Sequence, residues 1–326
     1  MNVDETFGDK VFCFGGDPRQ TLPVIRRGGR AQIARACIQM SPLYCLMEEH
    51  RLSQNMRTDP EEIEFSDYIL RIGNGEEEVF EDSGENVIKI PDNFLVDSRE
   101  ALIESIFPDL EFGSENVIDG CIYTPLNRHV HVMNDICIDK YPGTAKSYLS
   151  ADSILEDDHK DAVPNEYLNA MSPSGLPDHN LTLKVGAPIM LLRNLQAGSA
   201  VSLRNGTRMV VIQMMERALE VEVAVGINKG LRIFLPRIPH YDKSGDYPFT
   251  IVRRQLPVRL AFSVTINKGQ GQENERVGLY LPSPVFAHGQ LYTGISRGKR
   301  SSMVKVRISD DEEGLTDNIV YKELLT

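Results

Sequence analysis

An α/β fold with a small inserted antiparallel β-barrel is the architecture that this sequence predicts. Two apolar runs, KVFCFGGD and NVIDGCIYTPLN, end in turn residues, and each precedes a stretch with helical spacing. Between Gly206 and Arg253 the pattern changes to short strand-like runs separated by glycines and charges. The first pattern is typical of parallel strands with helices between them, and the second indicates the barrel.

Four segments have the apolar spacing of helices. They are RAQIARACIQM, EEIEFSDYILRIGNG with its GNG stop, RHVHVMNDICIDKY, and FAHGQLYTGISRGKR, in which Leu291 and Ile295 are one turn apart. LTLKVGAPIMLLRN and SMVKVRIS predict further strands. The stretch from about Ala145 to His179 is polar and rich in proline, so we expect a long surface excursion there.

Charge is distributed unevenly along the 326 residues, whose net charge is −12. Residues 59–119 contain 19 acidic and 3 basic side chains, whereas the remainder contains 28 acidic and 32 basic ones. Outside the acidic block the chain is therefore mildly basic, which leaves a nucleic-acid partner open. The block itself is interpreted as a solvated surface, with an interaction platform as the alternative.

The five cysteines are scattered and form no C-x-x-C pair, so we expect free thiols and neither a zinc site nor a disulfide framework. No apolar run approaches the roughly 18 residues that a membrane span needs, and no membrane partner is expected.

Two loops have residue types suited to phosphate. GGDPRQTLPV places Asp17 and Gln20 at the carboxyl end of a predicted strand, where ligands bind in α/β folds, although an ordinary turn is the alternative. TINKGQGQ combines Lys268 with two glycines whose N–H groups can form a nest for an anion. LSQNMR contributes Arg57 and HGQLYTGISRGKR contributes Arg297, and taken singly each is a common surface arginine.

Five motifs occur in order over about residues 7–309: GD-x-RQ-x-LPV, L-x-x-NMR, KVGAPIMLLRNL with NGTR, QLPV-x-LAF-x-x-TINK-x-QGQ, and HGQLY-x-x-x-SR. This order resembles the petite-integration-frequency (PIF-type) helicases of superfamily 1B. The resemblance is strongest to the branch carried by Helitron transposons and their plant and fungal relatives.

The resemblance implies two RecA-like domains that close on ATP. Residues 1–51 would be the C-terminal remnant of the first domain, and residues 52–206 and 255–326 would form the second. Residues 207–254 would form an inserted Src-homology-like β-barrel. The sequence contains no G-x-x-x-x-G-K-[ST]. In the family, that Walker A loop and an Asp-Glu pair for Mg²⁺ precede the GD-x-RQ motif, so we expect the C-terminal part of a helicase whose N-terminal RecA-like half is missing here.

The function implied by the resemblance is ATP-dependent 5′-to-3′ unwinding of DNA, with ATP and Mg²⁺ as cofactors and single-stranded and forked DNA as partners. The processes would be replication, repair, recombination, telomere maintenance or Helitron transposition, in the nucleus or the mitochondrion. The alternative is a non-catalytic remnant that binds single-stranded nucleic acid and turns over no ATP.

The resemblance also assigns roles to seven residues, and it assigns no metal ligand. Gln20, Arg57 and Arg297 would be catalytic, the two arginines reaching across the cleft to the phosphates. Residues that would contact or sense the nucleotide are Asp17, Gln20, Arg57, Lys268, Gln270, Gly271 and Arg297.

Three residues depart from the family pattern. Pro18 replaces an aromatic residue and removes a backbone N–H, and Glu273 replaces threonine and adds a negative charge near the phosphate path. Gly294 replaces alanine inside a predicted helix, at a cost of about 1 kcal/mol in helix propensity. Together they predict relaxed catalytic constraint.

Overall fold

A parallel β-sheet flanked by helices forms the centre of the protein. The computed structural model describes residues 6–8, 10–52, 55–80, 82, 84–113, 115–155, 163–173, 175–197, 201–308 and 314–325. Ser53 and Gln54 of the LSQNMR motif lie outside the described residues. The helices are α1 (Arg30–Arg35), α2 (Ile63–Asn74), α3 (Arg99–Ile106), α4 (Asn127–Lys140), α5 (Asn165–Ala170) and α6 (Gln290–Ile295). The strands are β1 (Val87–Lys89), β2 (Gly120–Thr124), β3 (Lys146–Leu149), β4 (Ala151–Ile154), β5 (Asn180–Leu183), β6 (Pro188–Leu191), β7 (Leu195–Ala197), β8 (Val201–Leu203), β9 (Arg208–Met214), β10 (Ala218–Val223), β11 (Arg232–Pro236), β12 (Ile238–Tyr241), β13 (Ile251–Gln255), β14 (Val258–Leu260), β15 (Ser263–Thr265), β16 (Arg276–Leu281), β17 (Val304–Ile308) and β18 (Leu315–Asp317).

The parallel sheet has the order β15-β2-β16-β17, and all three neighbouring pairs are parallel. β2 is buried along its whole length, and its side chains alternate between two cores as the period of a strand requires. Ile122 packs in the core that contains residues of α3 and α4, whereas Cys121 and Tyr123 pack in the core that contains residues of α2 and α6. Helices therefore cover both faces of the sheet, which confirms the predicted α/β class.

The inserted β-structure consists of open sheets. β6, β9, β10, β11 and β14 form an antiparallel sheet in the order β11-β10-β9-β6-β14, and β12, β13 and β4 form a second sheet of three strands. The predicted closed barrel is corrected to this open form, because β11 and β14 are the edges of the larger sheet. β6 and β14 lie outside residues 207–254, and the domain boundaries stay a prediction.

Two local predictions are wrong. The stretch from Ala145 to His179 contains β3, β4 and α5, because a few apolar side chains, among them Tyr148, Ile154 and Leu168, are buried between its polar residues. The KVFCFGGD run is not a strand, and Phe12 and Phe14 are each about half exposed. A strand needs a hydrogen-bonded neighbour, and none of the described strands pairs with this run.

An ion pair with almost no solvent exposure joins β4 to β13. Asp152 and Arg253 lie directly opposite each other in the antiparallel ladder, and Arg253 Nη2 is 2.7 Å from Asp152 Oδ2. The guanidinium also donates to the carbonyl oxygens of Pro177, Leu168 and Met171. It thus holds the end of α5 against the three-stranded sheet.

The C-terminal segment, residues 314–325, returns across the helices. β18 pairs antiparallel with β1, and Asn318 Nδ2 then donates to the carbonyl oxygen of Ile72 in α2. Farther on, Glu323 accepts two hydrogen bonds from the guanidinium of Arg30 at the start of α1, at 2.8 and 2.6 Å. Among the described helices, none has the length and apolar character needed to cross a membrane.

Candidate functional site

The loop of residues 17–20 lies directly on the N-terminus of α6. A Cβ atom on Gly289 would come within 2.1 Å of the carbonyl oxygen of Arg19, and Gly289 has a φ of +67°. Only glycine allows both the contact and this backbone conformation. Beyond the loop, the backbone nitrogen of Thr21 donates to Thr293 Oγ1 over 3.1 Å, which fixes the chain along the first turn of α6.

Asp17 is the centre of this loop. Its carboxylate accepts hydrogen bonds from the Tyr292 hydroxyl at 2.7 Å, the Gln20 side-chain amide at 3.2 Å and the backbone nitrogen of Arg19 at 3.0 Å. Burial and the Asp17 charge together raise the pKa of Tyr292 above its ordinary range, so this hydroxyl remains a donor. Asp17 and Gln20, which the sequence analysis assigned to one loop, thus contact each other, and the structure adds Tyr292 as a further partner of Asp17.

Arg19 extends from the loop to α2. Its Nε atom donates to Asn74 Oδ1 over 2.6 Å. A Cβ atom on Gly73 would lie 2.7 Å from Arg19 Cδ and 2.7 Å from the ring of Tyr292, so the small residue makes room for both side chains. Arg57 and Arg297 lie, like Arg19, close to Tyr292. We call the following six residues the arginine cluster: Asp17, Arg19, Gln20, Arg57, Tyr292 and Arg297.

Arg297 is completely buried just beyond the end of α6. Its guanidinium donates to the carbonyl oxygens of Thr293 and Gln272 at 2.8 and 3.1 Å, and to the Ser296 hydroxyl at 2.9 Å. Burial and the nearby Arg57 lower its pKa, opposed by Tyr123, Tyr292 and Asp17. In this arrangement the side chain joins α6 to the loop that contains Gln272, and its role toward phosphate stays a prediction.

Arg57 is the more accessible of the two predicted arginines, with about a third of its side chain exposed. Its Nη1 donates to the carbonyl oxygen of Ser296 over 3.3 Å, so it lies beside Arg297. Glu273 is 3.8 Å from Arg57 Nε and 3.7 Å from Lys299 Nζ. Glu273, which stands where the family pattern has threonine, therefore lies between two partly exposed cations.

The TINKGQGQ motif begins with a 3-10 helix (Ile266–Gly269), and Gln272 N donates to Gly269 O over 3.0 Å. Gln270 has φ −58° and ψ 129°, and Gly271 has φ +77°, which are the angles of a type II turn. Gln270 Oε1 accepts from the Thr21 hydroxyl at 3.3 Å, so this turn contacts the residue that follows the Asp17 loop.

The charged groups that act on the Lys268 ammonium are Arg259 and Asp178, which are not members of the arginine cluster, and burial followed by Arg259 lowers its pKa to about 8. The structure brings together Asp17, Gln20, Arg57 and Arg297 and joins Gln270 to them through Thr21. Tyr292 and His288, which the sequence analysis did not single out, both lie in the HGQLY motif.

Gly294 has a packing reason for its departure from the family pattern. A Cβ atom there would lie 3.0 Å from Leu279 Cδ2 and 3.4 Å from Leu279 Cγ. Leu279 belongs to the buried strand β16, so alanine would require this leucine to move. Glycine at this position therefore leaves the space that Leu279 occupies beside α6.

The cluster suits one side of a nucleotide site. Arg19, Arg57 and Lys299 offer partly exposed cations, which fit phosphate oxygens. Among the residues that the structure describes, no three His, Cys, Asp or Glu side chains are grouped to hold a metal ion. The site thus offers positive charge, and within the described ranges it offers no group of three such side chains as ligands for Mg²⁺.

Two family models match this sequence. The model described as PIF1-like helicase matches residues 1–83, and that described as the 2B domain of the DNA helicase Pif1 matches residues 166–214. Both models describe helicases of the PIF1 type, and the chain is similar to this family over residues 1–83 and 166–214. The 2B match overlaps the predicted insertion only at residues 207–214 and also includes α5, β5 and β6.

Named relatives show the same similarity. The chain is 33% identical over 198 residues to the ATP-dependent DNA helicase PIF1 of Rattus norvegicus, which covers 59% of the chain and 28% of the relative. It is 30% identical over 191 residues to that of Xenopus laevis, covering 58% and 28%. The crystal structure of Bacteroides Pif1 bound to ssDNA aligns with a TM-score of 0.61 at 20% identity, over 99% of this chain and 66% of that one. These alignments support the RecA-like fold, and the matched part spans less than a third of the curated relatives.

Proposed function

We propose that this chain is the C-terminal portion of an ATP-dependent 5′-to-3′ DNA helicase. The observation that carries the proposal is the contact between the Asp17 loop and α6, which brings Asp17 and Gln20 into one cluster with Arg57 and Arg297. The two parts of the chain that would face the terminal phosphate thus already lie together. The relatives from Rattus norvegicus and Xenopus laevis are themselves named ATP-dependent DNA helicases.

In the proposed reaction, this chain supplies charge and orientation. Bound ATP with Mg²⁺ would supply the phosphoryl group and the metal charge. Gln20 would orient the attacking water or the γ-phosphate, and Arg57 would stabilise negative charge on the transferred phosphoryl group. Arg297 would reach the phosphates only by exchanging its bonds to Thr293 and Gln272. The Walker A loop and the magnesium ligands would come from an N-terminal RecA-like half, so the chain alone would not turn over ATP.

The DNA partners would be single-stranded and forked DNA. The bond between Thr21 and Gln270 supports a path from the phosphate side to the TINKGQGQ turn, because it links the two motifs directly. Lys268, Gln270 and Gly271 would transmit the nucleotide state toward the DNA. We place the complete helicase in the nucleus or the mitochondrion, acting in replication, repair, recombination, telomere maintenance or Helitron transposition.

A second candidate function is a non-catalytic module that binds single-stranded nucleic acid. It is favoured by two observations on the arginines: Arg297 makes three hydrogen bonds within the protein, and Glu273 lies between Arg57 and Lys299. Such a module would bind single strands with a strong dependence on salt and no dependence on ATP.

The test is a fusion protein that supplies this chain with an N-terminal RecA-like domain, which we call the completed motor. An N-terminal RecA-like domain that contains a Walker A loop is joined to this chain ahead of Phe14, and ATP hydrolysis is measured with and without single-stranded DNA. The helicase proposal predicts DNA-stimulated hydrolysis and unwinding of a substrate with a 5′ single-stranded tail. Salt-sensitive binding without either activity, in a fusion that is folded by circular dichroism, would contradict it and support the second candidate.

A further inference from the structure

His288, the residue before Gly289, is almost completely buried and uses both ring nitrogens. Nε2 lies 2.8 Å from the carbonyl oxygen of Pro18, and Nδ1 lies 2.7 Å from the backbone nitrogen of Tyr321. The N–H of Tyr321 can only donate, so Nδ1 is the acceptor and has no hydrogen. Nε2 therefore carries the ring hydrogen and donates it to Pro18.

The two bonds connect segments that are far apart in sequence. Pro18 lies in the Asp17 loop, and Tyr321 lies in the C-terminal segment. The neighbouring Gly289 repeats this arrangement, since its backbone nitrogen donates to Ile319 O over 3.0 Å and its Cα faces the carbonyl of Arg19. Residues 288 and 289 thus lie between the loop on one side and the C-terminal segment on the other.

We propose that His288 is a positioning residue that holds the Asp17 loop on α6 as a neutral imidazole protonated at Nε2. Through its second nitrogen it makes the position of that loop depend on the C-terminal segment. The proposal concerns the folded chain and does not require ATP hydrolysis. Its consequence for phosphate sensing rests on the proposed function.

The charges around the ring are mixed. Asp17 comes from the loop, Arg30 from the start of α1 and Glu323 from the C-terminal segment. The ring of Tyr321 packs against the imidazole at an interplanar angle of 34°, with centroids 5.2 Å apart. Burial is the largest influence and lowers the pKa of His288, against the opposing effect of the Pro18 carbonyl and the two carboxylates. A second proton would sit on Nδ1 and face the N–H of Tyr321, so acid should release the C-terminal segment.

The first test measures the tautomer in the unmodified chain. Long-range ¹H–¹⁵N NMR on ¹⁵N-histidine-labelled protein at pH 7.5, assigned with His288→Asn, reports which ring nitrogen is protonated. The proposal predicts a protonated Nε2 and an unprotonated Nδ1, which changes to the doubly protonated form only below about pH 6.5, the ordinary pKa of a histidine side chain. A ring protonated at Nδ1, or one whose pKa is about 6.5 or higher, would overturn the proposal.

The second test separates the two bonds by hydrogen exchange. His288→Gln keeps a donor near the Nε2 position, and His288→Asn keeps an acceptor near the Nδ1 position. We expect the glutamine variant to protect residues 15–22 while residues 318–325 exchange about five- to tenfold faster, and we expect the asparagine variant to do the reverse.

His131→Gln, on the exposed face of α4, is the matched control and should leave both peptides unchanged. Residues 120–124 of β2 report whether each variant is folded. Equal acceleration of both peptides in both variants, with β2 still protected, would contradict separate roles for the two nitrogens. If β2 also loses its protection, the tautomer measured in the unmodified chain decides.

Discussion

Glu273 shows at the residue scale how one carboxylate can change the charge of the arginine cluster. It lies within 4 Å of both Arg57 and Lys299, and about half of its side chain is exposed. Exposed pairs of this kind contribute about 0.2–1 kcal/mol each. Its main effect should therefore be on the anion affinity of the surface and not on the stability of the fold.

Replacing Glu273 by glutamine should increase the affinity of the chain for pyrophosphate. Arg57 and Lys299 lose a competing anion, and we expect binding about two- to fivefold tighter at low salt. Isothermal titration calorimetry at several salt concentrations measures the change. Glu275→Gln, an equal change of charge two residues away, is the control. Equal affinities for the two variants would contradict the role of Glu273.

Single residues also show how far the sequence could predict the site. Asp17, Gln20, Arg57 and Arg297 could be named because each has a fixed place in a motif. The complete burial of Arg297 could not, because its hydrogen-bond acceptors are mostly backbone carbonyls, which every residue has. His288 was visible within HGQLY, but its role depends on Tyr321, which belongs to no motif.

At the scale of elements, the parallel sheet was predictable and the pairing of the inserted strands was not. β2 is a continuous apolar run followed by a helix, and this local pattern determines its place in an α/β fold. Whether β11 closes onto β14 depends on strand pairing between distant residues, which the alternation along each strand does not specify. β4 was missed because its pairing partner β13, which contains Arg253, lies about 100 residues away in sequence.

The Asp152–Arg253 pair gives a prediction at this scale. Asp152→Asn leaves the buried guanidinium without its counter-ion, and we expect the free energy of unfolding to fall by about 3–5 kcal/mol in urea denaturation. The control is Glu222→Gln, which breaks the exposed pair with Arg232 and should cost less than about 1 kcal/mol. A loss for Asp152→Asn no larger than that of the control would show that the pair does not hold β4.

On the scale of the whole molecule, two buried histidines predict acid sensitivity. Burial lowers the pKa of His288 and, with the nearby Arg193, lowers that of His240 to about 4. The unfolded chain therefore binds protons that the folded chain does not, below about pH 6.5. The stability contributed by these neutral rings is present above that pH and is lost as the pH falls toward 4.

Urea unfolding at pH 7.5, 6.0, 5.0 and 4.5 measures this effect. We expect His240→Gln to lose less stability than the unmodified chain over this range, by up to about 3 kcal/mol when extrapolated to pH 4. His50→Gln, which changes an exposed ring, should follow the unmodified chain. Parallel pH profiles for all three proteins would mean that His240 titrates normally in the folded state.

The central claim is that the arginine cluster is the phosphate-facing side of a helicase motor. Its most direct test is steady-state ATP hydrolysis by the completed motor, comparing Arg57→Ala and Arg297→Ala with Arg300→Ala, a control that removes the exposed pair with Asp59. We predict that Arg57→Ala and Arg297→Ala each lower kcat by about 10³-fold or more with little change in KM, while Arg300→Ala retains activity. Rates for Arg57→Ala and Arg297→Ala within twofold of the Arg300→Ala rate would contradict the claim.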